Sequence, residues 1–307
     1  MDKKHRLFPS SWLPLVVDWE RKLTAENKSS NTVRLYRDAV RGLAIRVGDH
    51  DPTEVTRSMV RDHIAHLVET TSAGNADTNY RALRQWFKFL VAEDEITEDP
   101  MRDTKRPIVP DKPVPVVSDD LIKRVLAECD GKDFTSRRDT ALVRLFFDAG
   151  ARRSEIANLE LDDIDLSTDT IRVIGKGRKA RVIPFSRNTG MALSRYLRVR
   201  RKHPRAHLEQ VWLGERGRGP LTSNGIGQML RRRGRAAGVE RELGRHLHAH
   251  LGRHVAAHQW QANGGSEGDL MLIMGWSSPQ MPRRYGRAAA IDRAHAAARN
   301  LRLGDRF

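Results

Sequence analysis

Cysteine is almost missing from this chain of 307 residues; Cys129 is the only one. A single cysteine excludes an intramolecular disulfide and any cysteine-built metal cluster, and it fits a reducing, cytoplasmic setting. Long apolar runs are also missing. No stretch is long enough to span a bilayer, and Met1-Asp2-Lys3-Lys4-His5-Arg6 is not followed by the apolar segment of a secretory signal. Gly175-Lys176-Gly177 lacks the further glycines and the Ser/Thr after lysine that a Walker-type nucleotide loop needs. No cluster of metal-ligating carboxylates stands out in the sequence.

Acid is the scarcer charge. There are 39 Asp and Glu against 55 Lys and Arg, for a net of +16. A polyanion is the natural partner of such a chain. The excess is uneven. Residues 1–106 hold 18 basic and 17 acidic residues, a net of +1, so the other 201 residues carry 37 and 22, a net of +15. Arg231-Arg232-Arg233 and Arg198 to Lys202 are the densest runs, and they read as a phosphate-tracking surface.

What is present orders itself into two domains. Residues 1–9 read as a disordered lead. Residues 10–100 hold four amphipathic helices, recognised by apolar residues at helical spacing. Trp12, Leu15, Val16 and Trp19 mark the first. Val33, Tyr36, Val40 and Leu43, ending at Gly48, mark the second. Thr56 caps a third, and residues 76–92 form a fourth. Arg34, Arg37, Arg41, Arg81, Arg84 and Lys88 are candidate phosphate contacts, although the near-zero net charge means that many can pair with acids. Pro100, Pro107, Pro110, Pro113 and Pro115 make residues 101–117 an extended linker, with Lys105 and Arg106 able to touch nucleic acid.

Ser118 caps the first helix of the second domain. An apolar helix then runs to Gly150, and Arg152 follows at once. Arginine is rarely buried without a partner. Arg152 therefore either pairs with Glu155 or serves a site. Residues 170–174 and 180–184 are strand-like and flank a basic tip, Gly175-Lys176-Gly177-Arg178-Lys179. The fold expected is mainly α with a small antiparallel β-sheet.

The chain's centre of gravity is 250–285. His250 and Arg253, at i and i+3, share a helix face. After an apolar and Gly-rich interval come Trp276 and then Arg283-Arg284-Tyr285. Fixed cationic donors beside an oxygen nucleophile suit a phosphate-handling site. Arg152, Lys176, His250-x-x-Arg253, Trp276 and Tyr285, in this order and at these intervals, resemble the tyrosine recombinases of the phage-integrase family.

That resemblance implies an N-terminal four-helix, SAM-like core-binding domain and a mixed α/β catalytic domain at 118–285. It implies a 286–307 tail, apolar at Ile291, Ala294, Ala297, Ala298 and Leu301, that docks on a neighbouring protomer. It also implies site-specific cutting and rejoining of DNA through a 3′-phosphotyrosine formed by Tyr285. In that chemistry Arg152 and Arg253 hold the phosphate, Lys176 protonates the leaving oxygen and His250 assists, and the protein–DNA ester keeps the bond energy, so no nucleotide, metal or other cofactor is required. Trp276 stands where His is common in the family; an indole N–H can donate but cannot titrate. Gly252 replaces the usual Leu and weakens its helix by roughly 1 kcal/mol relative to Ala. Arg178, Lys179, Arg231 and Arg232 are further DNA contacts. The partners implied are duplex DNA with a core site, a tetramer of this chain on two sites, and host DNA-bending factors. The setting is the cytoplasm, at the nucleoid, and phage integration, element transfer, dimer resolution and inversion are all open as roles. A type IB topoisomerase and a non-catalytic DNA-binding protein are the competing readings.

Overall fold

The computed structural model describes residues 8–110, 117–175, 179–282, 294–295 and 298–301. Lys176, Arg178, Tyr285 and most of the tail lie outside the described residues. The chain divides into two compact units, 1–112 and 113–307.

The first unit is α1 (Leu13–Ala25), α2 (Ser30–Val47), α3 (Arg57–Thr70) and α4 (Ala73–Ala92). Side-chain oxygens of Ser29, Thr56 and Ser72 cap the last three, each accepting from a backbone N–H of the first turn. The apolar stripes meet in a core in which Trp19 stacks on Tyr36 and meets Trp86 edge-on. These aromatic residues are packing. Residues 101–106, placed in the linker from sequence, are held by this unit. Met101 is buried in its core, and Tyr80 donates its hydroxyl to the Thr104 carbonyl at 2.8 Å. Asp77 receives Arg106 through two bonds and also pairs with Arg81. The Arg106 hydrogen bond leads in drawing the Asp77 carboxyl below its usual range, against the opposing effect of burial.

The second unit centres on α6 (Phe134–Ala149), with α5 (Asp119–Ala127), α8 (Arg187–Arg200) and α11 (Ala249–Ala262) packed on it. The short α7 (Arg153–Ala157) follows α6. It leads into a three-stranded antiparallel sheet of β1 (Ile164–Asp165), β2 (Thr170–Ile174) and β3 (Ala180–Pro184), in that order. Ile171 pairs with Ile183, and Val173 pairs with Arg181. Strand alternation therefore puts Arg181 on the face that carries Ile183 into the core. α9 (Ser223–Ala236), α10 (Val239–Leu243) and α12 (Glu267–Met274) complete the unit.

One arginine of each dense basic run departs from the surface role read from sequence. Arg200 is buried and donates to the carbonyls of Val211, Ala206, Leu208 and Gln210, so it braces the loop that follows α8. Arg233 grips Asp139 with two nitrogens at 2.8 and 3.0 Å, while buried Arg138 grips the other oxygen of the same carboxylate. Both residues continue buried stripes: Leu193, Tyr196 and Arg200 on α8, and Ile226, Met229, Leu230 and Arg233 on α9. Arg231 and Arg232 remain exposed.

Candidate active site

Three chain segments build the site. The first is the turn after α6. Gly150 ends that helix in the left-handed region, at φ +57°, and a Cβ there would come within 2.6 Å of Met274. Glycine lets the chain reverse against α12. Arg152 follows in extended conformation as the N-cap of α7. It is not buried, as its place after an apolar helix suggested; its side chain is 38% exposed. Its Nη1 donates to Glu155 Oε1 at 2.8 Å, its backbone N–H to Oε2 at 2.8 Å, and its Nη2 to the Gly275 carbonyl at 3.3 Å. The ion pair with Glu155 and exposure towards a site therefore hold together.

The second segment is α11. His248 caps it, its Nδ1 accepting from the Leu251 N–H at 3.1 Å. Burial lowers the His248 pKa, and neighbouring His250, His246, Arg245 and Arg153 add to the effect. His250 is exposed on the first turn, its ring 4.6 Å from that of His254. Arg253, one turn on, is the buried arginine, at 2% exposure. It donates Nη1 to the Gly150 carbonyl at 2.8 Å and Nη2 to the Met274 carbonyl. Gly252 is no weak point of this helix. A Cβ there would lie 2.8 Å from the Phe146 carbonyl oxygen, so the missing side chain is what lets α11 close on α6.

The third segment leaves α12. Gly275, at φ +60°, turns the chain, and Trp276 lies under the Arg253 guanidinium, 5.0 Å from the ring centroid. Trp276 packs with Ala256, Ala257, Leu270 and Met274, and with Met281. Buried Gln261 donates to the Pro282 carbonyl at 3.3 Å and ties the chain just before Tyr285 to α11.

Ala151, Arg152, Arg153, His248, Ala249, His250 and Arg253 line one cavity of about 240 Å³. Planar guanidinium forks and a histidine around one small cavity suit a tetrahedral oxyanion. Sequence reading missed Arg181. It reaches from β3 with Nη1 and Nη2 to the two oxygens of Glu155, at 2.9 and 2.8 Å, and with Nε to the Ile273 carbonyl at 2.8 Å. Its signal was phase: it shares a strand face with Ile183. Burial alone would raise the Glu155 pKa, but the bonds from Arg181 and Arg152 outweigh it and hold the carboxyl at about 2. Lys179 is exposed. Of the first unit's candidates, Arg37 pairs with Glu20 and Asp38, and Arg41 with Asp38, while Arg34 bonds Asn31. Arg84, Lys88 and Lys105 are exposed.

Residues 115–290 match the model of the phage integrase family, and the chain belongs to that family. Among curated relatives, it is 28% identical over 298 residues to tyrosine recombinase XerC of Actinobacillus pleuropneumoniae serotype 7, covering 94% of this chain and 95% of that one. It is 30% identical to tyrosine recombinase XerC of Pseudomonas aeruginosa PAO1 over 283 residues, which are 88% of this chain and 90% of the relative. The fold is that of the Tn1549 transposon integrase solved with transposon right end DNA, at TM-score 0.74 and 20% identity, covering 94% of this chain and 99% of the other. It also matches XerH site-specific recombinase bound to palindromic difH substrate, at TM-score 0.72 and 16% identity, over 89% of this chain and 81% of that one.

Proposed function

We propose that this protein is a site-specific DNA recombinase that cuts and rejoins strands through a 3′-phosphotyrosine at Tyr285. The observation that carries this is the meeting of Arg152, from the turn after α6, with His250 and Arg253 of α11 around a single cavity. The relatives, which are recombinases and integrases, do not favour the topoisomerase or the non-catalytic reading.

In this mechanism the Tyr285 oxygen attacks the scissile phosphorus in line, and the 5′-oxygen leaves. Arg152 and Arg253 neutralise charge that builds on the non-bridging oxygens. Lys176 gives the leaving oxygen its proton. His250 hydrogen-bonds the phosphate and helps take the tyrosine proton. Trp276 supports Arg253 and the tyrosine segment. A partner strand's 5′-hydroxyl then attacks the phosphotyrosine, which restores Tyr285 and a phosphodiester. The ester conserves the bond energy, so no nucleotide is consumed.

We assign duplex DNA as the partner, bound by the core-binding domain at 10–100 and the catalytic domain at 118–285. Four copies assemble on two sites, each docking its 286–307 tail on a neighbour to close a ring, with host DNA-bending proteins as accessories. The protein works in the cytoplasm, at the nucleoid.

The test uses duplexes with a randomised central region and a nick in one strand, so that the short 5′-hydroxyl fragment diffuses away after cleavage. Wild-type protein is expected to form denaturant-stable complexes whose DNA converges on one sequence. Tyr285→Phe should bind that sequence almost normally and form none. A covalent complex with Tyr285→Phe would move the nucleophile elsewhere.

A further inference from the structure

We infer that Arg181 is a positioning residue that keeps the charge of Arg152 available to the scissile phosphate by holding Glu155 in its place. This rests on the reading of Arg152 as a phosphate ligand.

Glu155 is 5% exposed. Its two oxygens take two bonds from Arg152, one from the backbone and one from Nη1, and two from Arg181. With one arginine alone, the buried carboxylate would cancel the very charge that an incoming phosphate needs. With both, the group carries +1 −1 +1, a net of +1. Arg181 meets both carboxylate oxygens side by side, the bidentate geometry that arginine favours. Arg152 then uses only one of its terminal nitrogens on Glu155, and its side chain stays partly exposed at the cavity.

Arg181 also fixes position. Its third bond goes to the Ile273 carbonyl, at the end of α12. A Cβ on Gly275 would lie 3.2 Å from its guanidinium, and one on Gly175 would lie 3.0 Å from its Nη1. Glycines at these two points admit the guanidinium between the hairpin and the turn that leads to Trp276. One side chain therefore ties together the Arg152 turn, the strand that follows Lys176 in sequence, and the segment that carries Trp276. Lysine could supply the charge, but its single nitrogen lacks the planar fork whose separate nitrogens reach both carboxylate oxygens and the Ile273 carbonyl.

The experiment uses the full chain and the duplex that wild-type protein selects from the nicked library. Single-turnover covalent capture and equilibrium binding are both read, with unfolding curves as the control for folding. Arg181→Gln should slow capture about 100-fold while DNA affinity stays within about threefold, because a charge that acts in the transition state is lost. Arg181→Gln combined with Glu155→Gln returns the net charge to +1, and it should react at least about tenfold faster than Arg181→Gln alone. Arg181→Lys should fall between wild type and Arg181→Gln. A double variant no faster than the single one overturns the proposal, as does wild-type capture by Arg181→Gln. If Arg181→Gln does not fold, the double variant is compared with wild type; a rate within about tenfold supports the proposal, and a loss of about 100-fold or more overturns it. Failure of wild-type protein to capture any DNA would instead reject the recombinase reading.

Discussion

Lysine and arginine hold different offices at the site, and sulfur chemistry separates them. On an ordinary phosphodiester, Lys176→Ala and Arg152→Ala should both slow cleavage strongly. When sulfur replaces the bridging 5′-oxygen, the thiolate leaves without a proton, so the Lys176→Ala defect should largely vanish. The Arg152→Ala defect should persist, because charge still develops on the non-bridging oxygens. Equal rescue of both, or rescue of Lys179→Ala alone, would take the acid role from Lys176. Glu155 sets a second prediction. Its carboxyl is held at about 2, below its ordinary 4.5. The unfolded chain therefore binds the extra proton first. The stabilisation is complete above pH 4.5 and is lost as pH falls towards 2, with a size on the order of 2–3 kcal/mol. Urea unfolding across that window should show the slope in wild type and a shallower one in Glu155→Gln.

At the scale of elements, Gly252 decides the packing of α11 on α6. Alanine there should gain about 1 kcal/mol of helix propensity. It must also push against the Phe146 carbonyl oxygen and carbon, 2.8 and 3.0 Å from the new Cβ. Overpacking costs about 1–3 kcal/mol, and backbone cannot swing aside as a side chain can. Gly252→Ala should therefore lower the thermal midpoint by a few degrees and loosen the Arg253 bond to Gly150. A raised midpoint would contradict the close approach. The same elements show what a sequence displays. β2 and β3 were legible to the residue, because alternation and a glycine-flanked tip bound them. α11 was legible by its His250–Arg253 spacing, but α12 was read only as an apolar interval. Its signal was a cap, Ser266 accepting from the Asp269 N–H at 3.1 Å, hidden by Gly264 and Gly265 just before it. Arg152 and Arg253 could be named through the family resemblance, but the sequence did not tell which of them is buried. That depends on carbonyls from residues 150 and 274, which only the folded chain brings together.

At the scale of the molecule, the excess charge belongs to residues 107–307, whereas the first unit is nearly neutral. DNA affinity should fall steeply with salt, by close to one unit of log K per log unit of salt for each phosphate contact. A chain shortened to residues 118–307 should lose most of its site affinity if both units hold the duplex. Full affinity from that chain, or a complex indifferent to salt, would reject two-domain binding. The tally of arginines overstates what DNA can reach, since Arg138, Arg200 and Arg253 are buried against carbonyls and carboxylates. These three act as rivets, and a reagent that modifies arginine, such as phenylglyoxal, should find them shielded. Labelling would then run in two phases. Arg152 would react early, and its loss would coincide with loss of DNA cleavage. The rivets would react only when the second unit opens, so the late phase would serve as a clock for its unfolding.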